Sequence, residues 1–377
     1  MANAPRSPLP RRNAGAAMFS NPNRVTPAIV AFAALALLLL AFRSGPATPG
    51  AILPVALPDQ DQQQAIDITF PVYSKILSPR REVWNGTELV YQVPANPRAV
   101  MFLAHGCYCK ATFFWDKHPD CSGCSGAPEE RAFVIQALQA SYAVIAVSSQ
   151  QDCWRKEDAP RVKLVLESWM DKLGLVELPL LGLGASSGGY FVSSLARDVK
   201  FDAIVLMIAE GSFQEVPSLP YPPVLFVHMV KDEVRAERIR EIMPVLRKAG
   251  IEADEIQCEE VEITDDFFMR RIPYVDLEMS ENLVGVLQRH GHLDFRGYLK
   301  SDSRSLNLKQ DMSGGLGGQE LLDSLSSRND HWAHHIQEEL NLAYGNHEFT
   351  SLSTTKIITW LESHVKMPPN ITAGGQS

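Results

Sequence analysis

From residue 98 onward, uninterrupted apolar runs alternate with stretches whose apolar positions recur at helical spacing. RAVMFLAH (98–105), YAVIAVSS (142–149), LPLLGLG (178–184), FDAIVLMIAEG (201–211) and PPVLFVHMV (222–230) are short and continuous, which predicts buried strands. Between them lie APEERAFVIQALQASY (127–142), APRVKLVLESWMDKLG (159–174), Tyr190–Ala196 and EVRAERIREIMPVLRKAG (233–250), all with helical character. Gly250 ends the last of these. IEADEIQCEEVEIT (251–264) is more polar and reads as an edge strand. Ahead of the series, VYSKILSP (72–79) and LVYQVP (89–94) flank Asn85-Gly86 and predict two strands joined by a turn.

Apolar strands alternating with amphipathic helices predict an α/β fold: a mostly parallel central sheet with helices on both faces. The alternation breaks at Asp265. Through residue 346 there are short helical pieces, a flexible SGGLGGQE stretch and many charges, so 265–346 is expected to be an inserted cap. SLSTTKIITWLESHV (351–365) returns to amphipathic spacing and should pack on the sheet. Residues 367–377 are expected to be a flexible tail.

The N-terminus follows a different pattern. Val25–Phe42 is apolar apart from Thr26 and Pro27, and eighteen residues at helical rise span roughly 27 Å, enough for a thin hydrocarbon core. Arg6, Arg11, Arg12 and Arg24 precede it and Arg43 follows, so residues 1–24 are expected as a cytosolic basic tail. Residues 25–42 then form a transmembrane signal anchor, and 43–64 a Pro-, Ala- and Gln-rich linker. The rest would face a lumen or the exterior, as in a single-pass type II membrane protein of the secretory pathway. A cleaved signal peptide, with Ala47 or Ala51 near the cut, and an organellar transit peptide are the rivals; the long basic region favours the anchor.

No Asp or Glu precedes Asp59, so the net charge of −9 becomes −14 over the remaining chain. That balance disfavours nucleic acid as a partner. Asn85-Gly-Thr and Asn370-Ile-Thr are N-glycosylation acceptors in an exported protein. Five of six cysteines (Cys107, Cys109, Cys121, Cys124 and Cys153) fall in one region, and an oxidising compartment makes them disulfide candidates. Zinc on Cys107-x-Cys109 and Cys121-x-x-Cys124 is the weaker alternative. Cys153 is a natural partner because its loop leaves a neighbouring strand, and Cys258 is expected to be buried.

The chemistry centres on Gly184-Ala185-Ser186-Ser187-Gly188, a G-x-S-x-G motif between a buried strand and a helix. Glycines there permit a sharp turn that lifts the Ser186 hydroxyl above the strand, beside the positive end of the helix. A serine needs a base to become a nucleophile, and His347, in a loop just before the last helix, is the candidate. Of the other histidines, His290, His292, His331, His334 and His335 fall in the expected cap. The 331–335 group, with Asp330, reads as a solvated helix face rather than a metal site.

The base needs a carboxylate partner. Asp232, after the strand PPVLFVHMV, is the candidate acid, with helix capping as its other role; Glu210 is the alternative acid. His105-Gly106-Cys107 ends an earlier strand, so an oxyanion hole is expected from the N–H of Cys107 or Tyr108 together with that of Ser187. His105 is expected to be structural.

With these residues in place the chain resembles the α/β-hydrolase superfamily over residues 65–366, interrupted by the cap. HGC, GASSG, MVKD and GNHE carry the resemblance, with HGC standing where many lipases and esterases have HGGG. The insert HGCYCKATFFWDKHPDCSGCSG resembles a membrane-anchored branch of that superfamily found in plants. The resemblance implies a serine hydrolase that cleaves an ester, less readily an amide or peptide, without a cofactor. Its partner would be a small-molecule ester or acyl substrate. Two other functions are weighed against it: a non-catalytic, hydrolase-like domain that binds a ligand or partner, and a zinc-dependent activity.

Overall fold

The structure, a computed structural model, describes residues 75–314 and 317–368. The expected basic tail, anchor and linker, Asn370 and nearly all of the C-terminal tail lie outside the described residues. Among the described residues no helix is long and apolar enough to cross a membrane.

Eight strands form one sheet: β1 (Arg80–Trp84), β2 (Thr87–Gln92), β3 (Ala99–Ala104), β4 (Tyr142–Val147), β5 (Leu180–Ala185), β6 (Ala203–Met207), β7 (Val224–Met229) and β8 (Ala253–Cys258). Their spatial order is β1-β2-β4-β3-β5-β6-β7-β8. The β1–β2 and β2–β4 pairs are antiparallel and all others parallel. One expected strand is corrected. Residues 75–79 are not extended in a ladder, and β1 begins at Arg80. The turn explains this: Asn85 (φ 48°) and Gly86 (φ 74°) both take the left-handed region, which fixes a two-residue hairpin and pairs Trp84 with Thr87.

The helices, in chain order, are α1 (Pro128–Gln139), α2 (Ala159–Leu173), α3 (Ser187–Leu195), α4 (Glu233–Lys248), α5 (Phe267–Arg271), α6 (Leu277–Arg289), α7 (Leu308–Ser313), α8 (Gly318–Arg328), α9 (Trp332–Tyr344) and α10 (Thr354–His364). Strands β3, β4, β5 and β7 are buried at every position because both faces are covered. Alternate residues divide between two cores. Met101, Leu103, Val144 and Ala146 pack with Phe133 of α1 and Ile357 of α10. Val100, Phe102, Ala143 and Ile145 pack with Trp169 of α2, Val192 of α3 and Ile239 of α4. Strand β8 is buried only at its ends, Ala253 and Cys258, with half-buried and exposed positions alternating between them, as suits an edge strand. The segment from α5 to α9, inserted between β8 and α10, closes around its own cluster, including Phe268, Leu283, Leu287, Leu325 and Ile336.

Candidate active site

Strand β5 ends at Ala185, and the next residue turns sharply into α3. Ser186 sits at the N-cap with φ 52° and ψ −116°, a conformation that L-residues rarely adopt. Its N–H donates to Met207 O at 2.9 Å, which ties the turn to β6. The flanking glycines are steric requirements. A Cβ on Gly184 would lie 2.1 Å from Gly188 O, and one on Gly188 would lie 2.1 Å from Ala104 O. The helix therefore packs backbone to backbone against β3 and β5, which leaves the Ser186 side chain projecting at the carboxyl end of the sheet.

His347 follows the left-handed turn at Gly345 (φ 73°) that ends α9. Its Nε2 lies 2.9 Å from Ser186 Oγ, and its Nδ1 lies 2.6 Å from Asp232 Oδ2. Asp232 follows β7 and serves two partners, since its Oδ1 accepts from the N–H of Arg235 at 3.3 Å and caps α4. Burial pushes the Asp232 carboxyl up, but His347, the Arg235 N–H and the Arg235 charge outweigh it and hold the carboxyl below its usual range. The structure thus links Ser186, His347 and Asp232, 161 and 115 positions apart, in one hydrogen-bonded chain.

Glu210 is not part of that chain. Its carboxylate accepts from Tyr190 Oη at 2.5 Å and from Arg238 Nη1 at 2.6 Å, with Arg235 at 3.4 Å. Burial raises its pKa, but these bonds lower it further, and the carboxylate is committed to the far side of the turn.

At the expected oxyanion site, Tyr108 is corrected as a donor. Its N–H donates to Asp152 O at 2.6 Å, so it has no free donor to offer. The N–H groups of Cys107 and Ser187 make no hydrogen bond among the described residues. Gly106 brings this loop against the elbow, with a Cβ there falling 3.9 Å from Ser186 Cβ. The loop is braced from the β4 side. Cys107 is disulfide-bonded to Cys153, and Trp154 Nε1 donates to His105 O at 3.0 Å while stacking on Phe191 of α3 at 4.2 Å. His105 is buried, and its Nε2 accepts from Ser149 N–H at 3.0 Å, so the proton sits on Nδ1 and points to Gly106 O at 2.6 Å. Burial lowers its pKa to about 4, which keeps it neutral.

The second disulfide joins Cys121 to Cys124. Cys109 departs from expectation: it carries a free thiol, because its four companions pair with one another. Burial pushes that thiol up, so it is protonated. Cys258 is free and buried as expected. Asn85 is exposed at the hairpin tip, where a glycan has access.

The expectation of a solvated histidine face on α9 is corrected at one position, His335. His335 is buried, with Nδ1 3.0 Å from Tyr274 Oη, and burial lowers its pKa to about 3. His334 packs edge-on to Phe113 at 5.3 Å. Helix α9 packs on α1, which takes His335 inward, while His331 and His334 remain exposed. Among the described residues no group of three or more His, Cys, Asp and Glu is arranged to hold a metal ion.

Helices α1 and α9 also bury carboxyls that sequence reading passed over, since glutamates at helical spacing look like solvated positions. Arg271 of α5 pairs with Glu129 (2.8 Å) and Glu339. Glu130 and Glu338 meet between the same helices; burial raises Glu130 to about 7 and lifts Glu338 well above its ordinary value. Glu348, next to His347, is raised by burial as well.

No protein-family model matches the chain, and no curated protein is similar to it in sequence. Among solved structures it is similar to a thermostable esterase, with 15% identity and a TM-score of 0.37 over 48% of this chain. The chain spans 54% of that esterase, about half its length. It is also similar to a dienelactone hydrolase from Anabaena variabilis (13% identity, TM-score 0.37, 49% of this chain and 88% of the other). An esterase from Pyrobaculum calidifontis is similar at 13% identity, with a TM-score of 0.36 over 53% of this chain and 82% of that one.

Proposed function

We propose that this chain is an α/β-hydrolase-like serine esterase acting on a small-molecule ester through an acyl-Ser186 intermediate, with amides or peptides as poorer substrates. The supporting observation is the continuous path from Ser186 Oγ to His347 Nε2 (2.9 Å) and from His347 Nδ1 to Asp232 Oδ2 (2.6 Å). His347 takes the hydroxyl proton as Oγ attacks the carbonyl carbon, and the carbonyl π electrons move onto oxygen. The oxyanion is held by the N–H groups of Cys107 and Ser187, with the α3 N-terminus adding positive potential. Collapse expels the alkoxide, which receives the proton from His347. Water then repeats the sequence on the acyl-serine and releases the acid. Asp232 keeps the imidazole in the tautomer that presents a bare Nε2 to the serine.

A fluorophosphonate probe should label the protein at one serine, and Ser186→Ala should abolish labelling. Undiminished labelling of that variant would remove the assignment.

Export and anchoring are proposed on the sequence alone, from the apolar run at 25–42 and its arginine flanks, in line with the resemblance to the plant membrane-anchored branch. In a eukaryotic host the chain should stay in the membrane pellet after alkaline carbonate. Glycosidase treatment should shift its mobility, a shift lost in part with Asn85→Gln and Asn370→Gln. A fully extractable, unshifted protein would overturn the topology.

A further inference from the structure

The loop that carries His347 is held from the inserted helical segment, residue by residue. Ser303–Ser305 forms a short 3-10 turn between α6 and α7, with Asp302 as its N-cap. Asn346 Nδ2 donates to Asp302 Oδ2 at 2.9 Å. Arg304 Nη2 donates to the carbonyl oxygen of His347. The same guanidinium lies 3.7 Å from the Glu348 carboxylate, which also accepts from Asn341 Nδ2 at 2.6 Å. Ser303 Oγ donates to Asn341 Oδ1, completing the set. Arg304 is itself fixed, because Asp302 accepts from its N–H at 2.9 Å and faces its Nη1 at 3.4 Å.

The His347 ring is held at both nitrogens, but among the described residues its main chain makes one hydrogen bond, the one from Arg304. Without it, the peptide plane after His347 can rotate, and a small rotation there moves Nε2 relative to the Ser186 oxygen. We propose that Arg304 is a positioning residue for His347, through which the Ser303–Ser305 turn and its cap Asp302 tie the inserted segment to the reacting groups. This rests on the reading of Ser186 as nucleophile and His347 as base. The carbonyl bond carries the effect rather than the charge, since Arg304 is 40% exposed and its charge is well screened.

The test compares Arg304→Ala, Arg304→Gln and Arg304→Lys in the intact protein. Labelling rate and kcat on a chromogenic short-chain ester are measured against pH, alongside thermal melts. Arg304→Ala should lose roughly 10- to 100-fold in kcat with KM within about twofold, the scale of an ångström-level misplacement. Arg304→Gln and Arg304→Lys keep a donor and should recover to within about threefold of wild type. The acid limb of the Gln variant's rate profile should stay in place.

Two results would overturn the proposal: Arg304→Ala reacting within twofold of wild type, or Ala and Gln losing activity alike. The downfield Nδ1 proton of His347 in NMR spectra gives a readout independent of turnover. It should persist in wild type and the Gln variant and broaden in the Ala variant; equal spectra would count against positioning. If wild type itself escapes the probe, the hydrolase reading fails, and the spectra still decide whether Arg304 holds the ring.

Discussion

The two oxygens of Asp232 are divided between two tasks: Oδ2 lies 2.6 Å from His347 Nδ1, and Oδ1 accepts the Arg235 N–H that caps α4 at 3.3 Å. Asn is as good a cap as Asp but presents an amide to the imidazole and favours the wrong tautomer. Asp232→Asn should therefore cost roughly 10⁴-fold in kcat while changing stability by less than about 1 kcal/mol. Asp232→Ala should add a loss of about 1 kcal/mol. Because the folded carboxyl is held low, its contribution to stability is present above the unfolded pKa and is lost as pH falls through the folded one. Equal melts for the Asn and Ala variants would show that the cap contributes nothing.

Gly188 and Gly106 both border Ser186, yet they should respond differently to a methyl group. An alanine Cβ at 188 meets Ala104 O at 2.1 Å, whereas at 106 its nearest neighbours are 3.9 Å away. Gly188→Ala should lose stability at or above the upper end of the ~1–3 kcal/mol usual for overpacking. Gly106→Ala should melt within about 0.5 kcal/mol of wild type, as benign substitutions do. Its methyl points at Ser186, so it should still slow probe labelling at least tenfold, roughly the cost of a displaced oxyanion donor. Unimpaired labelling of Gly106→Ala would place the oxyanion site elsewhere.

Cysteine chemistry gives a count. Denatured, unreduced protein should titrate two thiols, Cys109 and Cys258. Six reactive thiols would eliminate the braced loop. The Cys107–Cys153 bond closes a segment of 46 positions, for which loop-closure entropy gives up to about 4 kcal/mol. The Cys107→Ser/Cys153→Ser pair should melt earlier and label more slowly, because the Cys107 N–H is then held less firmly.

Glu130 and Glu338 predict the direction of a pH effect. Glu130 faces Glu129 on α1, and Glu348 and Cys109 from the loops; Glu338 faces Glu339 on α9 and Glu348, while Arg271 pairs with the neighbouring Glu129 and Glu339. With folded pKa values raised by burial, the native state holds protons that the unfolded chain releases near pH 4.5. Stability should then fall as pH rises from about 4.5 to 7, by at most about 1.4 kcal/mol per pH unit for each proton. Glu338→Gln should flatten that slope in urea melts taken across the range. A slope identical to wild type would show that the pair ionises freely.

Much of the fold and of the candidate site was legible in local pattern. Continuous apolar runs mark strands covered on both faces, and a glycine-flanked serine between a strand and a helix marks a turn that only glycines allow. Asp232 was readable because it follows a buried strand, and His347 because it lies in a loop just before the last amphipathic helix. What tertiary structure decided were matters of pairing, which depend on distances between segments remote in sequence. It gave the Tyr108 N–H to Asp152, the Glu210 carboxylate to Tyr190 and Arg238, and Cys107 to Cys153, leaving Cys109 free. It buried His335 and Glu338 because the face of α9 that looks polar in sequence packs against α1. Local spacing reports which way a side chain leaves its own element; only the packed chain determines what it meets there.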